Sequence, residues 1–404
     1  MKHIKFSSIA LVTVFFFSMA PLSIINNNNN PEENTIAVMA YYVPERDYDP
    51  EKLPLEQLTH IIFSFTHVID GKMQFRDKEN REKLAKLVAQ RKKHPQLKVM
   101  IACGGWGADG FSDMAHTKAN REKFVKSVVD FNTEFQLDGI DIDWEYPAIP
   151  AADTKARPED KQNFTLLMKE LRQGLNTLKR KQTLTFASAG WKRYYQNIEL
   201  KEVMQYADFM NIMTYDQIGS TSPFTGHHTA LGHIGEEDIQ ATPAWEYVLQ
   251  RKEAMKKRGY TYNGSRSAEK ITDYCIANGV KAEQIVIGAA FYGRAWKGVP
   301  PKNNGLYQPN SGSYIGWSAY RQIREEFEAD EKYKRHFDSV AKAPYLYNAT
   351  DSIFISYDDT VSVRLKTEYS LKKKLGGIMF WELGNDTKQE NSLLKAIHDA
   401  SLRN

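Results

Sequence analysis

Cysteine is nearly absent from this sequence: Cys103 and Cys275 are the only two in 404 residues. A disulfide framework therefore does not build the fold. Cys103 ends an apolar run and Cys275 lies in a helical pattern, so two separate buried thiols are expected. An excess of one charge is also missing. Lys and Arg number 54 against 50 Asp and Glu, leaving +4, and no basic run is longer than three residues. Phosphate backbones are bound by clustered cations, so a nucleic-acid partner is not expected. What is present is ordinary globular material, 42% hydrophobic and 26% charged, which excludes a wholly disordered or collagen-like chain. At ~150 residues per domain the length suggests two to three domains, although α/β barrels reach this size as single units.

Long apolar runs are scarce too. Lys2, His3 and Lys5 precede an apolar stretch from Ile9 to Phe17, and Ser18-Met19-Ala20 follows. That is the pattern of a secretory leader with a small-residue cleavage site. The stretch is short for a membrane span. Residues 1–24 are read as a signal peptide and 25–35 as an Asn-rich spacer outside the fold. Pro21 sits badly just after Ala20, which moves the cut a few residues on. The chain is expected to be exported, secreted or periplasmic, with no membrane span once the leader is removed. An uncleaved membrane anchor is the alternative.

From Ile36 onward, short apolar runs alternate with helical patterns. The strand candidates are Ile36–Tyr41, Thr59–Phe65, Lys98–Cys103, Gly139–Trp144, Thr183–Ala189, Phe209–Tyr215, Ile285–Phe291 and Gly377–Trp381. Between them, Arg81–Lys92, Arg121–Phe135, Lys161–Lys181, Trp245–Arg258 and Ala268–Asn278 carry apolar residues three and four apart. Eight strands alternating with helices favour an α/β fold of the parallel (β/α)8 TIM barrel type over a doubly wound open sheet. The interval between the seventh and eighth strands is too long for one helix and two loops. Within it, Gly305-Leu306-Tyr307, Ala343–Tyr347 and Ile353–Tyr357 read as short strands and Tyr320–Phe337 as a charged helix. Residues 297–360 are thus expected to form a small α+β insertion on the catalytic face of a barrel spanning 36–404.

The strongest chemical signal is Asp138-Gly139-Ile140-Asp141-Ile142-Asp143-Trp144-Glu145-Tyr146-Pro147. Strand alternation sends Asp141, Asp143 and Glu145 to one face and Ile140, Ile142 and Trp144 to the other. In a barrel the acids point inward. Carboxyl groups this close repel one another when ionised, which favours a retained proton and hence a general acid near neutral pH. A carboxylate site for Ca²⁺ or Mg²⁺ and a purely structural role are the competing readings. The segment lacks the glycine spacing of an EF-hand loop, and catalysis is favoured.

This segment resembles the DxxDxDxE signature of glycoside hydrolase family 18, the chitinase family. Ala102-Cys103-Gly104-Gly105-Trp106 is similar to the SxGG segment at strand three. Met213-Thr214-Tyr215-Asp216 resembles MxYD at strand six, and Phe291-Tyr292-Gly293-Arg294 resembles YGR at strand seven. Trp381 stands where the family has its strand-eight tryptophan. The likeness runs from about Ile36 to Gly384.

The resemblance implies a retaining reaction assisted by the substrate's own acetamido group, a known exception to the two-carboxylate scheme. It assigns Glu145 to protonate the glycosidic oxygen and later to activate water. Asp143 orients the acetamide and switches its hydrogen bond between Asp141 and Glu145. Tyr215 bonds the acetamido oxygen, and Asp216 contacts the same sugar. Trp381 is the floor under the reacting ring, because sugar faces stack on aromatic rings. Tyr292 and Arg294 meet neighbouring sugars, Trp106 and Tyr41 extend or support the cleft, and Met213 lines it. No metal or other cofactor is implied. The implied partner is chitin or N-acetylglucosamine oligosaccharides, bound by a monomer.

Three departures from the family pattern stand out. Ala102 occupies the serine position of SxGG, which removes a hydroxyl that could support Asp141. Ala289-Ala290 replace a common proline before Phe291. Gln217-Ile218-Gly219-Ser220-Thr221 lacks a nearby tryptophan that strengthens product-side binding. The length leaves no room for an accessory chitin-binding module, so soluble oligomers or accessible chains are expected as substrates rather than crystalline chitin. A non-hydrolytic lectin and an endo-β-N-acetylglucosaminidase acting on N-glycans are the alternatives. The lectin is disfavoured because Glu145, Asp143 and Tyr215 are all present, and the insertion favours a linear polymer over an N-glycan.

Overall fold

The computed structural model describes residues 36–44, 49–259, 261–262 and 264–402, together with Met1. Met1 aside, the expected leader and Asn-rich spacer lie outside the described residues. Among the described residues, fourteen strands occur in chain order: β1 (Ala37–Tyr42), β2 (His60–Ile69), β3 (Lys72–Gln74), β4 (Lys98–Gly104), β5 (Gly139–Asp143), β6 (Thr183–Ala189) and β7 (Phe209–Met213) come first. They are followed by β8 (Ile285–Ala290), β9 (Tyr292–Lys297), β10 (Ser313–Ala319), β11 (Tyr333–Asp338), β12 (Ala343–Asn348), β13 (Ile353–Ser356) and β14 (Gly377–Trp381). Eight of them pair in the order β1-β14-β8-β7-β6-β5-β4-β2, and β1 pairs again with β2. Every one of these pairings is parallel. The β1–β2 pairing closes the sheet, so the fold is the expected (β/α)8 barrel and not an open sheet. β3 adds an antiparallel hairpin to β2.

Strand alternation divides the core in two. Ile140, Ile142 and Trp144 pack outward with Phe111, Phe164, Phe186 and Leu167 beneath the helices. Met39, Tyr41, Ile62, Met100, Ala102, Val286 and Met379 fill the barrel interior. Burying an aliphatic or aromatic side chain this way contributes ~1.5–3 kcal/mol each. Helices cover Glu79–Ala89, Lys118–Phe135, Asp160–Leu175, Ala244–Lys257 and Ala268–Ala277, close to the expected spans. Thr117 caps one of them by accepting from the Asn120 N–H, which satisfies a donor otherwise left without a helical partner. Cys103 and Cys275 are both buried and unbridged.

Between β8 and β14 the chain builds a five-stranded antiparallel sheet in the order β10-β9-β13-β12-β11. One face packs on the short helical segment Tyr320–Phe327, and the other, through Trp296, Phe354, Tyr345 and Tyr347, packs on Ala230 and Ile234 of the loop after β7. Two local expectations are corrected here. Residues 305–307 are not a strand, because Asn303, Asn304 and Tyr307 have φ of 51°, 48° and 58° and wind the backbone into a turn. The expected helix over Tyr320–Phe337 ends at Phe327, and Tyr333–Asp338 pairs instead with β12. Its charged residues Lys334 and Arg335 are typical of a sheet edge, a pattern that resembles a solvated helix face in sequence. No helix among the described residues is long and apolar enough to cross a membrane.

Candidate active site

β5 carries the site. Ala102 of β4 and Thr185 of β6 flank Asp141 in register, so Asp141 projects into the barrel between them. Asp141 is fully buried and accepts three hydrogen bonds: from the Tyr41 hydroxyl at 3.0 Å, the Thr185 hydroxyl at 2.5 Å and the Asn211 amide at 3.1 Å. Burial pushes its carboxyl up to about 6, against the pull of those donors.

Asp143 lies one step nearer the mouth, and its Oδ1 is buried without a protein partner. A buried acceptor left unpaired costs about 1–3 kcal/mol, which marks a group whose partner changes or arrives with a ligand. Burial first, then the neighbouring charges of Glu145 and Asp141, hold its carboxyl well above the ordinary range. Glu145 is 8% exposed at the top of this row. Burial raises it to about 7, a hydrogen bond with Tyr146 offsets part of the rise, and the Asp216 charge adds to it. The two glycines after Cys103 let the backbones meet here: a Cβ on Gly104, where φ is 125°, would lie 1.9 Å from the Asp143 carbonyl oxygen.

An aromatic shell surrounds the acids. Trp381 is half-buried, stacked on Phe65 at 5.5 Å and tilted against Tyr41 at 6.0 Å. Tyr215 meets Tyr292 edge-on at 6.0 Å, and its hydroxyl contacts the Met379 sulfur at 3.8 Å. Gly288 leaves it room, since a Cβ there would lie 2.7 Å from the Tyr215 ring. Met213 is half-buried at the end of β7 beside this interior cluster. Arg294 donates from Nε to Asp216 at 2.6 Å, and His228 Nδ1 stands 3.7 Å from the same oxygen. Burial opposes ionisation of Asp216, but His228 and Arg294 outweigh it and hold the carboxyl below its usual value.

These features distribute the expected residues. Asp141, Asp143, Glu145, Tyr215, Asp216, Tyr292, Arg294, Met213 and Trp381 converge on one mouth. Tyr41 is 2% exposed and lies beneath the floor, bonded to Asp141. Trp106 is 67% exposed and meets Tyr146, the neighbour of Glu145, at 6.3 Å.

A sequence model for glycosyl hydrolases family 18 matches residues 37–386. The chain belongs to that family. Chitinase A1 of Niallia circulans is 38% identical over 316 residues, which cover 75% of this chain and 43% of that protein. The match therefore spans less than half of that relative's length. Chitinase B of Serratia marcescens is 29% identical, covering 92% of this chain and 81% of its own. Among solved structures, a family 18 N-acetylglucosaminidase from Paenibacillus barengoltzii superposes with a TM-score of 0.77 at 35% identity, over 90% of this chain and 99% of that one.

Several residues of this family 18 site escaped sequence reasoning. Trp317 of β10 is 46% exposed and stacks on Tyr292 at 5.9 Å. Trp191 meets Tyr146 edge-on at 5.1 Å, with the Arg266 guanidinium 4.7 Å over its ring. Thr185 of β6 and Asn211 of β7 point inward to Asp141, and the two-residue period applied to those two strands would have found them. No comparable signal marks Trp317, whose place depends on the pairing of β10 with β9.

The charge of Asp216 raises Glu145. Asp216→Asn removes it, so Glu145 gives up its proton at lower pH. The alkaline limb of the kcat profile with a chitin oligomer is expected to move to lower pH, and an unmoved or upward-shifted limb counts against this coupling.

Proposed function

We propose that this chain is a chitinase that hydrolyses β-1,4 bonds between N-acetylglucosamine units with retention at the anomeric carbon. The observation that carries this reading is the row Asp141, Asp143, Glu145, with a proton held on Glu145 up to about pH 7 and the half-buried Trp381 packed against the Tyr41 that bonds Asp141. A carboxyl at that value acts as an acid and then as a base near neutral pH.

Glu145 donates its proton to the glycosidic oxygen as the bond to the leaving sugar breaks. The acetamido oxygen of the same sugar closes on the anomeric carbon to give an oxazolinium ion. Asp143, whose Oδ1 has no protein partner, takes the acetamide N–H and opposes the developing positive charge. Stabilisation of this kind is commonly the largest catalytic term. Glu145, now ionised, removes a proton from water as the water opens the ring intermediate. Tyr215 holds the acetamido oxygen, Trp381 supports the apolar face of the ring, and Asp216 with Arg294 holds its hydroxyls. Relatives named chitinases, aligned over most of this chain, support the choice of polymer. The leader supports export, to periplasm, surface or medium.

The Paenibacillus relative favours a second reading, release of single N-acetylglucosamine units. Incubation with chitin hexamer and with a high-mannose glycoprotein, followed by mass analysis, separates the cases. Dimers and trimers support chitinase action, monomer alone supports the second reading, glycan release supports neither, and no product overturns hydrolysis. Trp317 extends the aromatic surface beyond Tyr292, and losing a stacked ring removes about 1 kcal/mol. Trp317→Ala is expected to raise KM for the hexamer about fivefold with kcat held; an unchanged KM removes Trp317 from the cleft.

A further inference from the structure

Asp141 has no cationic partner among the hydrogen bonds that reach it; its charge is met only by neutral donors. Among the described residues, the titratable groups that feel its charge are Asp143 on its own strand, Tyr41 on β1, Cys103 on β4, Tyr194 after β6 and Tyr215 after β7. All are acids, so none supplies a positive charge. Hydrogen bonds from neutral donors are then the means of holding an anion here.

Ala102 and Thr185 lie opposite Asp141 in the register of β4 and β6 respectively. The β4 side presents a methyl group. The β6 side presents a hydroxyl, fully buried, whose contact of 2.5 Å is at the short end for a donor to a carboxylate. Threonine is stiff at χ1, so this hydroxyl is aimed before any substrate arrives. Asn211 Nδ2 reinforces it by donating both to Asp141 and, at 3.0 Å, to the Tyr41 oxygen that in turn donates to Asp141.

We propose that Thr185 is a positioning residue of the reaction: it supplies from β6 the hydroxyl that Ala102 does not supply from β4, and so stabilises ionised Asp141 when Asp143 turns away to the substrate. Before the turn, one proton shared between Asp143 and Asp141 leaves a single negative charge spread over the pair. When Asp143 carries that proton toward the acetamide and Glu145, Asp141 is left as a bare anion in the barrel interior. No bond to substrate involves Thr185, and its effect is exerted through Asp141. The inference rests on the hydrolytic reading of the site.

The test uses the full chain and chitin hexamer. Thr185→Val keeps the shape and deletes the donor. A hydrogen bond to a charged group is expected to be worth about tenfold or more in kcat, with KM unchanged and the acidic limb of the kcat profile moved to higher pH. Thr185→Ser should retain activity. Ala102→Ser alone should change little, but combined with Thr185→Val it should recover most of the lost kcat by restoring a hydroxyl on the other flank. Equal kcat and pH profile for Thr185→Val and the parent overturn the proposal. So does a loss that Ala102→Ser leaves unrepaired while the thermal midpoint has fallen, which assigns Thr185 to packing alone. Should Thr185→Val fail to fold, Thr185→Ala enters the same comparison with Ala102→Ser. An inactive parent chain instead overturns the hydrolytic reading, which separates the two failures.

Discussion

Glu145→Gln is expected to lower kcat on chitin hexamer about a thousandfold, within the range of about 10²–10⁴ assigned to a positioned acid–base group. Glutamine keeps the size and one acceptor but carries no transferable proton, so binding of the hexamer should persist. Retained turnover would rule out Glu145 as the acid. The same variant carries a second signature, in stability. The folded protein holds the Glu145 proton up to about 7, whereas the ordinary value is 4.5. Between these two values the folded chain binds more protons than the unfolded chain, so stability falls as pH rises through the window. The deficit is complete above pH 7. Glu145→Gln removes it, so the variant should unfold at a higher temperature than the parent at pH 8 and at a similar one at pH 4. A variant less stable at pH 8 would contradict the assigned environment. The combination is diagnostic, because a merely structural glutamate would give lost activity together with lost stability.

Lys366→Met is the change expected to damage the fold most. Lys366 and Asp358 are both wholly buried, with Nζ 2.6 Å from Oδ2. Asp358 also accepts from the Thr229 hydroxyl, the Ala290 N–H and the Ser362 hydroxyl. This one carboxylate therefore fastens the end of β8, the loop after β7 and the helix that begins at Thr360. Removing its cation leaves a buried charge uncompensated, which costs about 3–5 kcal/mol. A fall of that size in denaturant unfolding free energy is expected. Asp358→Leu added to Lys366→Met should recover part of it, since no bare charge then remains, although the Ala290 N–H loses its acceptor. A single variant within about 0.5 kcal/mol of the parent, the range of an ordinary surface change, would show that the pair is not a structural anchor. The consequence reaches the site, because Thr229 follows His228 and Ala290 lies two residues before Tyr292.

The acidic strand was legible in sequence because alternation is a local property. Asp141, Asp143 and Glu145 must share a face wherever β5 goes, and Ile140 and Ile142 must share the other. The same reasoning places Tyr215 and Asp216 at the end of β7 and Trp381 at the end of β14. Helical spacing likewise located five outer helices, although the one expected to run to Lys181 ends at Leu175. Errors fell inside the interval between β8 and β14. There Lys334 and Arg335 read as a solvated helix but sit on a sheet edge, and Leu306-Tyr307 read as a strand but follow a left-handed turn. Both depend on what pairs with what, which no local pattern contains.

The sequence by itself determined the eight strands, the inward carboxylates and the family likeness, since each follows from periodicity or from residues adjacent in the chain. Tertiary structure alone decided that β1 meets β2 to close the barrel, that Tyr41 lies beneath the cleft bonded to Asp141, that Trp317 joins Tyr292 at its rim, and that Thr185 faces the carboxylate Ala102 leaves unserved. The physical reason is distance along the chain: Tyr41 and Asp141 are 100 residues apart, and only strand register brings such groups within a hydrogen bond.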